Sequence, residues 1–163
     1  MATFKKIMKG LCTCEKVFGG IALLAACVVI MIAVIGRRVG HAPQWTEEAV
    51  RYLFIWITFV GSGVCFRRSS HFGVDVIRRV PNKKFQKFIS IFVILACALF
   101  AFFLLWIGGR YVMFTMASGQ KSAALLMPMW ILYLAVPVGG GLILVHLVEV
   151  ILSEIFGIYT IEE

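Results

Sequence analysis

Four long apolar blocks fill most of this 163-residue chain and constrain its fold more than any other feature. They cover residues 17–36, 49–66, 88–107 and 128–148. Each block holds about 20 residues, which at about 1.5 Å rise per residue matches the ~30 Å hydrocarbon core of a bilayer. The sequence therefore predicts an all-α integral membrane protein in which four transmembrane helices form a single membrane domain over 1–163.

The apolar blocks carry no carboxylate in their middle. Ion-coupled pumps and carriers usually place Asp, Glu, Lys or His inside their helix bundles. We therefore expect a membrane scaffold that has no transport site of its own. We also expect no cofactor and no metal, because Cys12 and Cys14 have neither a second cysteine pair nor nearby histidines.

The net charge of +8 is distributed unevenly about the apolar blocks. Eleven of the sixteen basic residues precede the first block or lie between the second and third. The positive-inside rule then predicts an N-in/C-in topology, with a cytoplasmic loop at 67–87 and outer loops at 37–47 and 110–127. The basic residues become topology determinants, which argues against nucleic-acid binding. Six of them are predicted contacts for anionic lipid: Arg67, Arg68, Arg78, Arg79, Lys83 and Lys84.

The residues before the first block are predicted to form a short amphipathic helix on the cytoplasmic membrane face. Phe4, Ile7, Met8 and Leu11 recur at helical spacing, with lysines between them. A disordered basic tail is the alternative for residues 1–16.

A polar cluster stands at the start of the second block. Thr46 occupies an N-cap position and is followed by Glu47 and Glu48, whose charge complements the helix dipole. Arg51 lies three and four residues further on, so it can pair with either carboxylate. Helix capping and ion pairing explain this cluster without any chemistry.

The second block and its continuation hold further polar residues. Gly61 belongs to a patch of small residues that predicts close helix packing, and Trp56 is predicted to pack inside the bundle. His71 and Asp75 are four residues apart and could meet on one helical turn. A loop that caps the span at the membrane interface is favoured over a pH or ligand sensor.

The fourth block opens with Pro128 and is interrupted by Pro137 and by the glycines at 139–141. A kinked packing helix is favoured over a substrate site built on a broken helix, because no second block shows a matching break. Trp130 and Tyr133 are predicted interfacial anchors, as is Trp45. His146 and Glu149 fall near the cytoplasmic end, where their side chains are expected to reach the interface.

Three classes of function compete for a chain of this kind. No hydrolase, metalloprotease or phosphate-binding motif is present, which argues against an enzyme. A multidrug exporter of four spans would need a carboxylate in the first span, and 17–36 has none. A non-conducting partner of a larger membrane protein fits best, and a stand-alone four-span carrier is the alternative.

Two stretches of sequence carry a family resemblance over roughly 37–148. The first runs from Ala42-Pro43-Gln44-Trp45-Thr46-Glu47-Glu48 through Arg51, Tyr52 and Trp56 to Gly61, His71, Asp75 and Pro81. The second runs from Ser122-Ala123-Ala124-Leu125 through Pro128-Met129-Trp130 to Tyr133 and Pro137. Together they resemble the small membrane subunit of TRAP transporters, the tripartite ATP-independent periplasmic carriers (the DctQ-like family).

The resemblance implies a transport system of three parts in the bacterial inner membrane. A periplasmic binding protein would capture an organic anion, such as a sialic acid or a C4-dicarboxylate. A large membrane subunit would carry it with Na⁺ by an elevator motion, so Na⁺ is expected there. This chain would be the static scaffold, with Trp45, Glu47, Glu48 and Arg51 orienting the outer end of the second span. Its outer loops would be candidates for docking the binding protein.

Overall fold

The computed structural model describes residues 2–41, 43–78 and 83–156, and its regular secondary structure is helical. Three long helices come first: α1 (Ala2–Arg38), α2 (Trp45–Arg78) and α3 (Lys83–Ser118). A single turn, α4 (Trp130–Tyr133), then leads into α5 (Ala135–Phe156). Within the described ranges, four stretches are long and apolar enough to cross a membrane: Lys6–Arg38, Trp45–Phe66, Ile91–Ser118 and Trp130–Ile151. The predicted four-span helical fold is confirmed.

The first three helices are longer than a bilayer requires. Helix α1 has 37 residues, which at about 1.5 Å per residue is well beyond the ~30 Å of hydrocarbon. Residues 2–16 belong to α1 itself, so the amphipathic lead-in continues the first span and is not a separate surface helix. Met8 and Cys12 on this segment are buried, which gives it a packing face within the bundle.

The long segment predicted as a cytoplasmic loop, 67–87, is mostly helical. Helix α2 continues to Arg78 and α3 begins at Lys83. An α-helix satisfies its backbone hydrogen bonds internally, so it can continue into water until the sequence stops it. No proline stands between the second block and Pro81 to interrupt the helix. The extension is polar, so the apolar blocks could not predict it. At the other end α3 continues to Ser118, inside the predicted loop at 110–127.

The fourth span is the centre of the bundle. In its most apolar 18 residues 39% are buried, against 11% in each of the other three spans. Helix α5 packs against both α2 and α3, and α1 packs mainly against α2. The helices therefore lie in the order α1, α2, α5, α3, with α1 and α3 at the two outer positions.

Helix α1 meets α2 along a stripe of small and apolar residues. Ala22 and Ala26 are buried, and Phe18 contacts the ring of Trp56 edge-on at 6.2 Å between centroids. Small side chains let the two backbones approach closely, as packing in membranes requires. The other faces of α1 expose large apolar side chains such as Ile21 (63%) and Leu24 (69%), which suits them to lipid or to a partner.

Adjacent glycines in α5 allow its backbone to approach α2 and α3 closely. A Cβ at Gly139 would lie 2.7 Å from the carbonyl oxygen of Phe59 on α2. A Cβ at Gly140 would lie 3.0 Å from the carbonyl oxygen of Ala101 on α3. The glycine run is therefore a packing device for a central helix, as the favoured interpretation of this segment predicts. The fourth span divides at Leu134, and Pro137 in the first turn of α5 has no N–H to donate to Tyr133.

Candidate functional site

Among the residues that the structure describes, two polar networks stand out, one at each end of the helix bundle. The end at which α1 stops and α2 starts also holds the segment 119–129, and we call it the loop end. There Ser122 N–H donates to the Met127 carbonyl at 2.9 Å, and Met129 N–H donates to the Gln120 carbonyl at 3.0 Å. These bonds close 119–129 into a hairpin-like loop, with Leu126 in the left-handed region at φ 54°.

At the loop end Glu48 fastens this hairpin to the second helix. Its Oε2 accepts hydrogen bonds from the backbone N–H groups of Ala124 at 2.9 Å and Leu125 at 3.0 Å. Its Oε1 accepts the hydroxyl of Tyr52 at 3.0 Å, and Ser122 is a further hydrogen-bond partner. We call this set the Glu48 network. It ties residues more than 70 positions apart into one unit.

The neighbouring carboxylate makes a different contact. Glu47 pairs with Arg37 at the end of α1, and both side chains are about two-thirds exposed. Thr46 lies one residue inside α2, which begins at Trp45, so the expected N-cap role is wrong; its buried hydroxyl donates to the Pro43 carbonyl at 2.7 Å. The expected pairing of Glu47 or Glu48 with Arg51 is wrong for the side chains that the structure describes. Both carboxylates have partners outside their own helix, and no rule based on helical spacing could select these.

The aromatic motif residues lie at helix starts and at contacts between helices. Trp45 begins α2 and is 39% exposed, and Trp130 begins α4. Tyr133 meets Tyr111 edge-on at 4.7 Å between ring centroids, which joins the fourth span to α3. Pro128 forms an isolated antiparallel bridge with Lys121 inside the hairpin.

The remaining motif residues do not converge on one site. Gly61 faces open space, since a Cβ there would meet nothing within 4 Å. His71 and Asp75 lie on the continuation of α2 beyond its apolar stretch. Five of the six predicted lipid-binding residues lie on helices. They are Arg67, Arg68 and Arg78 on α2, and Lys83 and Lys84 on α3. Arg79 and Pro81 lie outside the described residues.

The opposite end of the bundle holds three ionisable side chains that sequence analysis did not bring together. Glu15 on α1 and His146 and Glu149 on α5 are 5%, 0% and 2% exposed. His146 Nε2 lies 3.0 and 3.2 Å from the two carboxylate oxygens of Glu15. Its Nδ1 lies 3.4 Å from Glu149 Oε2. We call this set the buried triad.

The buried triad overturns two expectations. His146 and Glu149 were expected to reach the membrane interface, yet both are buried between helices. The bundle interior was expected to lack ionisable groups, yet Glu15 lies within the first span at Lys6–Arg38. The apolar block at 17–36 began just after Glu15, so counting charges inside that block could not detect it. One signal was available: Glu15 is the sole acidic residue of the first 46 positions, and His146 and Glu149 form an i,i+3 pair in the fourth block and just after it.

Gly63 on α2 makes room for the buried triad. A Cβ at this position would lie 3.3 Å from His146 Cδ2 and 3.6 Å from Glu15 Oε1. The side chains of α1 and α5 therefore meet across the glycine face of the helix between them. The small-residue patch of the second span predicted close packing but not the polar contact behind it.

These features define a four-helix membrane protein whose polar groups join its own helices. A family model described as "Tripartite ATP-independent periplasmic transporters, DctQ component" matches residues 26–157. The chain belongs to this family, and it is a multi-pass protein of the bacterial inner membrane. The family consists of transporter permease components and is not enzymatic.

Curated relatives support the same assignment. The chain is 31% identical over 148 residues to the isethionate TRAP transporter permease protein DctMQ of Oleidesulfovibrio alaskensis, which covers 86% of this chain and 23% of that protein. It is 28% identical over 106 residues to the C4-dicarboxylate TRAP transporter small permease protein DctQ of Rhodobacter capsulatus, which covers 65% of this chain and 47% of that one.

A third relative is the ectoine TRAP transporter small permease protein TeaB of Halomonas elongata. It is 32% identical over 125 residues, which covers 72% of this chain and 65% of that protein. The chain therefore spans about a quarter of the first relative, about half of the second and about two-thirds of the third.

Proposed function

We propose that this chain is the small scaffold subunit of a TRAP-type secondary transporter that imports an organic anion with Na⁺. The single observation that carries the proposal is the match to the DctMQ permease. There 86% of this chain aligns with 23% of a longer permease. A region that exists inside a longer permease chain in one species is expected to bind the remainder of that permease when the two are separate chains.

The geometry supports a static role for the bundle. Its polar networks join helices of this chain to each other: the Glu48 network fixes the hairpin to α2, and the buried triad joins α1 to α5. An elevator transporter moves one domain against a fixed one, and a small fixed domain would tilt in fluid lipid. Four additional spans would widen the fixed domain and resist that movement.

The outer helices supply the surfaces that a scaffold needs. Helix α3 exposes Phe100, Phe103 and Phe114 at 60–62%, and α1 exposes comparable apolar side chains on its outer faces. Exposed apolar area of this extent suits contact with lipid on one side and with a large membrane subunit on another. The proposal assigns the hetero-complex interface to these outer helices and not to the central α5.

The solute is not assigned from this chain. The relatives are named for isethionate, C4-dicarboxylates and ectoine, which differ in charge and shape. The choice between a sialic acid, a C4-dicarboxylate and another solute is therefore expected to lie with the large subunit and the periplasmic binding protein. The binding protein is proposed as a transient partner that docks at the loop end.

Co-purification tests the proposed subunit role. The chain is expressed with its cognate large subunit, only one of the two is tagged, and the complex is isolated in mild detergent. The proposal expects both chains to elute together at a fixed ratio, whichever chain carries the tag. A large subunit that purifies without this chain, while this chain remains folded in the same membranes, would contradict the proposal.

A stand-alone four-span carrier is the second candidate, and the buried triad is the observation that favours it. Ion-coupled carriers place ionisable side chains within their spans, as this chain does at Glu15, His146 and Glu149. Proteoliposomes that contain this chain alone separate the two candidates, because a carrier accumulates solute under an ion gradient and a scaffold does not.

A further inference from the structure

The buried triad links the outermost helix to the central one. Glu15 lies on α1, whose packing contacts are made with α2, whereas His146 lies on α5 beyond α2. The contact therefore joins residues 131 positions apart across an intervening helix. Ionised groups inside a bilayer are costly unless they are paired and hydrogen-bonded, so a contact of this kind has to be well satisfied.

The geometry restricts where the protons lie. A neutral imidazole has one N–H and one nitrogen with a lone pair. In this cluster both ring nitrogens of His146 face carboxylate oxygens, at 3.0 Å toward Glu15 and 3.4 Å toward Glu149. With a neutral ring, one nitrogen lone pair would point at a carboxylate. Both contacts are attractive when each nitrogen carries a proton and each Glu accepts.

Glu15 presents both oxygens of its side chain to one ring nitrogen of His146. Both of its oxygens lie within 3.2 Å of Nε2, as expected for an anionic acceptor shared by one N–H. Among the described side chains, the ionisable groups that face His146 are Glu15 from α1 and Glu149 from α5. From α2 the ring meets Gly63. An imidazolium between two carboxylates satisfies this arrangement.

We propose that the buried triad is a charge-assisted tether in which His146 is an imidazolium that holds the amino-terminal part of α1 against α5. This inference goes beyond the scaffold function and does not depend on any partner subunit. It gives the buried charges a structural role, which distinguishes them from the ion site of a carrier.

Cysteine accessibility tests whether the tether holds α1. Cys12 is 4% exposed and lies one turn before Glu15 on the buried face, whereas Cys14 on the same helix is exposed. The full chain is prepared with Cys12 as its sole cysteine, and a maleimide labelling rate is measured in mild detergent. Glu15→Gln and His146→Gln are each expected to raise that rate about tenfold or more, as local opening exposes the thiol.

Two controls accompany the labelling experiment. A chain whose sole cysteine is Cys14 should label at the same rate with and without Glu15→Gln, because that thiol is already exposed. Glu47→Gln at the loop end should leave Cys12 protected.

The double variant of Glu15→Gln with His146→Gln should label more slowly than the product of the two single effects predicts, because it leaves fewer unpaired charges. Unchanged Cys12 labelling in both single variants would overturn the tether.

A second measurement tests the protonation state on the unmodified chain, so it does not depend on a variant that folds. Histidine is labelled with ¹⁵N, and His146 is assigned by the signal that His146→Gln removes. The tether predicts two protonated ring nitrogens at slightly alkaline pH, where an ordinary histidine is mostly neutral. A His146 ring with one unprotonated nitrogen under those conditions would refute the imidazolium.

Discussion

Single side chains decide how the ends of this bundle are held together. The sequence located the acidic pair at 47–48 and its neighbour Arg51, and helical spacing suggested that they would pair with each other. In the structure Glu48 instead accepts backbone N–H groups from a hairpin that follows α3. Local spacing predicts contacts within one helix, but a contact between segments 76 residues apart depends on how the helices pack.

The Glu48 carboxylate is expected to be what holds the hairpin against α2. Glu48→Ala should release the hairpin, since Ala124 and Leu125 lose the acceptor for their N–H groups. Hydrogen exchange measured by mass spectrometry should show faster exchange of a peptide covering 122–126, by about tenfold or more. Glu47→Ala is the matched control, because its exposed ion pair with Arg37 contributes little. Equal exchange in the two variants would argue against the network.

At the scale of helices, the apolar blocks predicted which segments cross the membrane but not where the helices end. Apolar blocks indicate only the stretch that crosses the membrane. A helix continues beyond that stretch for as long as its backbone hydrogen bonds are made within the helix. For that reason α1 includes Glu15, and α2 includes residues 67–78, although both lie outside the apolar blocks. The glycine run of the fourth span was interpreted correctly as a packing feature, although sequence could not reveal that adjacent glycines face different neighbours.

The glycine run provides a prediction with an internal control. Gly139→Ala should lower the free energy of unfolding by about 1–3 kcal/mol, because the new Cβ would meet the Phe59 carbonyl at 2.7 Å. Gly140→Ala should also destabilise the bundle, with its Cβ 3.0 Å from the Ala101 carbonyl. Thermal unfolding followed by tryptophan fluorescence in detergent measures both variants.

Gly141→Ala is the matched substitution in the same helix turn. Its Cβ would lie 3.6 Å from a side-chain carbon of Leu105, which is ordinary van der Waals contact. This variant should therefore unfold at nearly the wild-type temperature. If all three alanine variants unfolded at the same temperature, close packing at Gly139 and Gly140 would be contradicted.

At the scale of the whole molecule, the N-in/C-in topology is a prediction from the distribution of basic residues. Ala123→Cys in the hairpin and the native Cys14 are both exposed and lie at opposite ends of the bundle. In right-side-out membranes a membrane-impermeant maleimide should label Ala123→Cys at once. Cys14, in a chain where it is the sole cysteine, should be labelled only after the membranes are permeabilised. The reverse pattern would invert the topology and move the loop end to the cytoplasm.

As a scaffold subunit, this chain is proposed to support transport by another subunit and not to transport by itself. The decisive measurement is uptake, in proteoliposomes under a Na⁺ gradient, of the solute that the paired binding protein captures. We expect uptake when the large subunit, the binding protein and this chain are all present. We expect a severe loss of uptake without this chain, and no uptake with this chain alone. Uptake by this chain alone, or full uptake by the large subunit and binding protein without it, would refute the scaffold role.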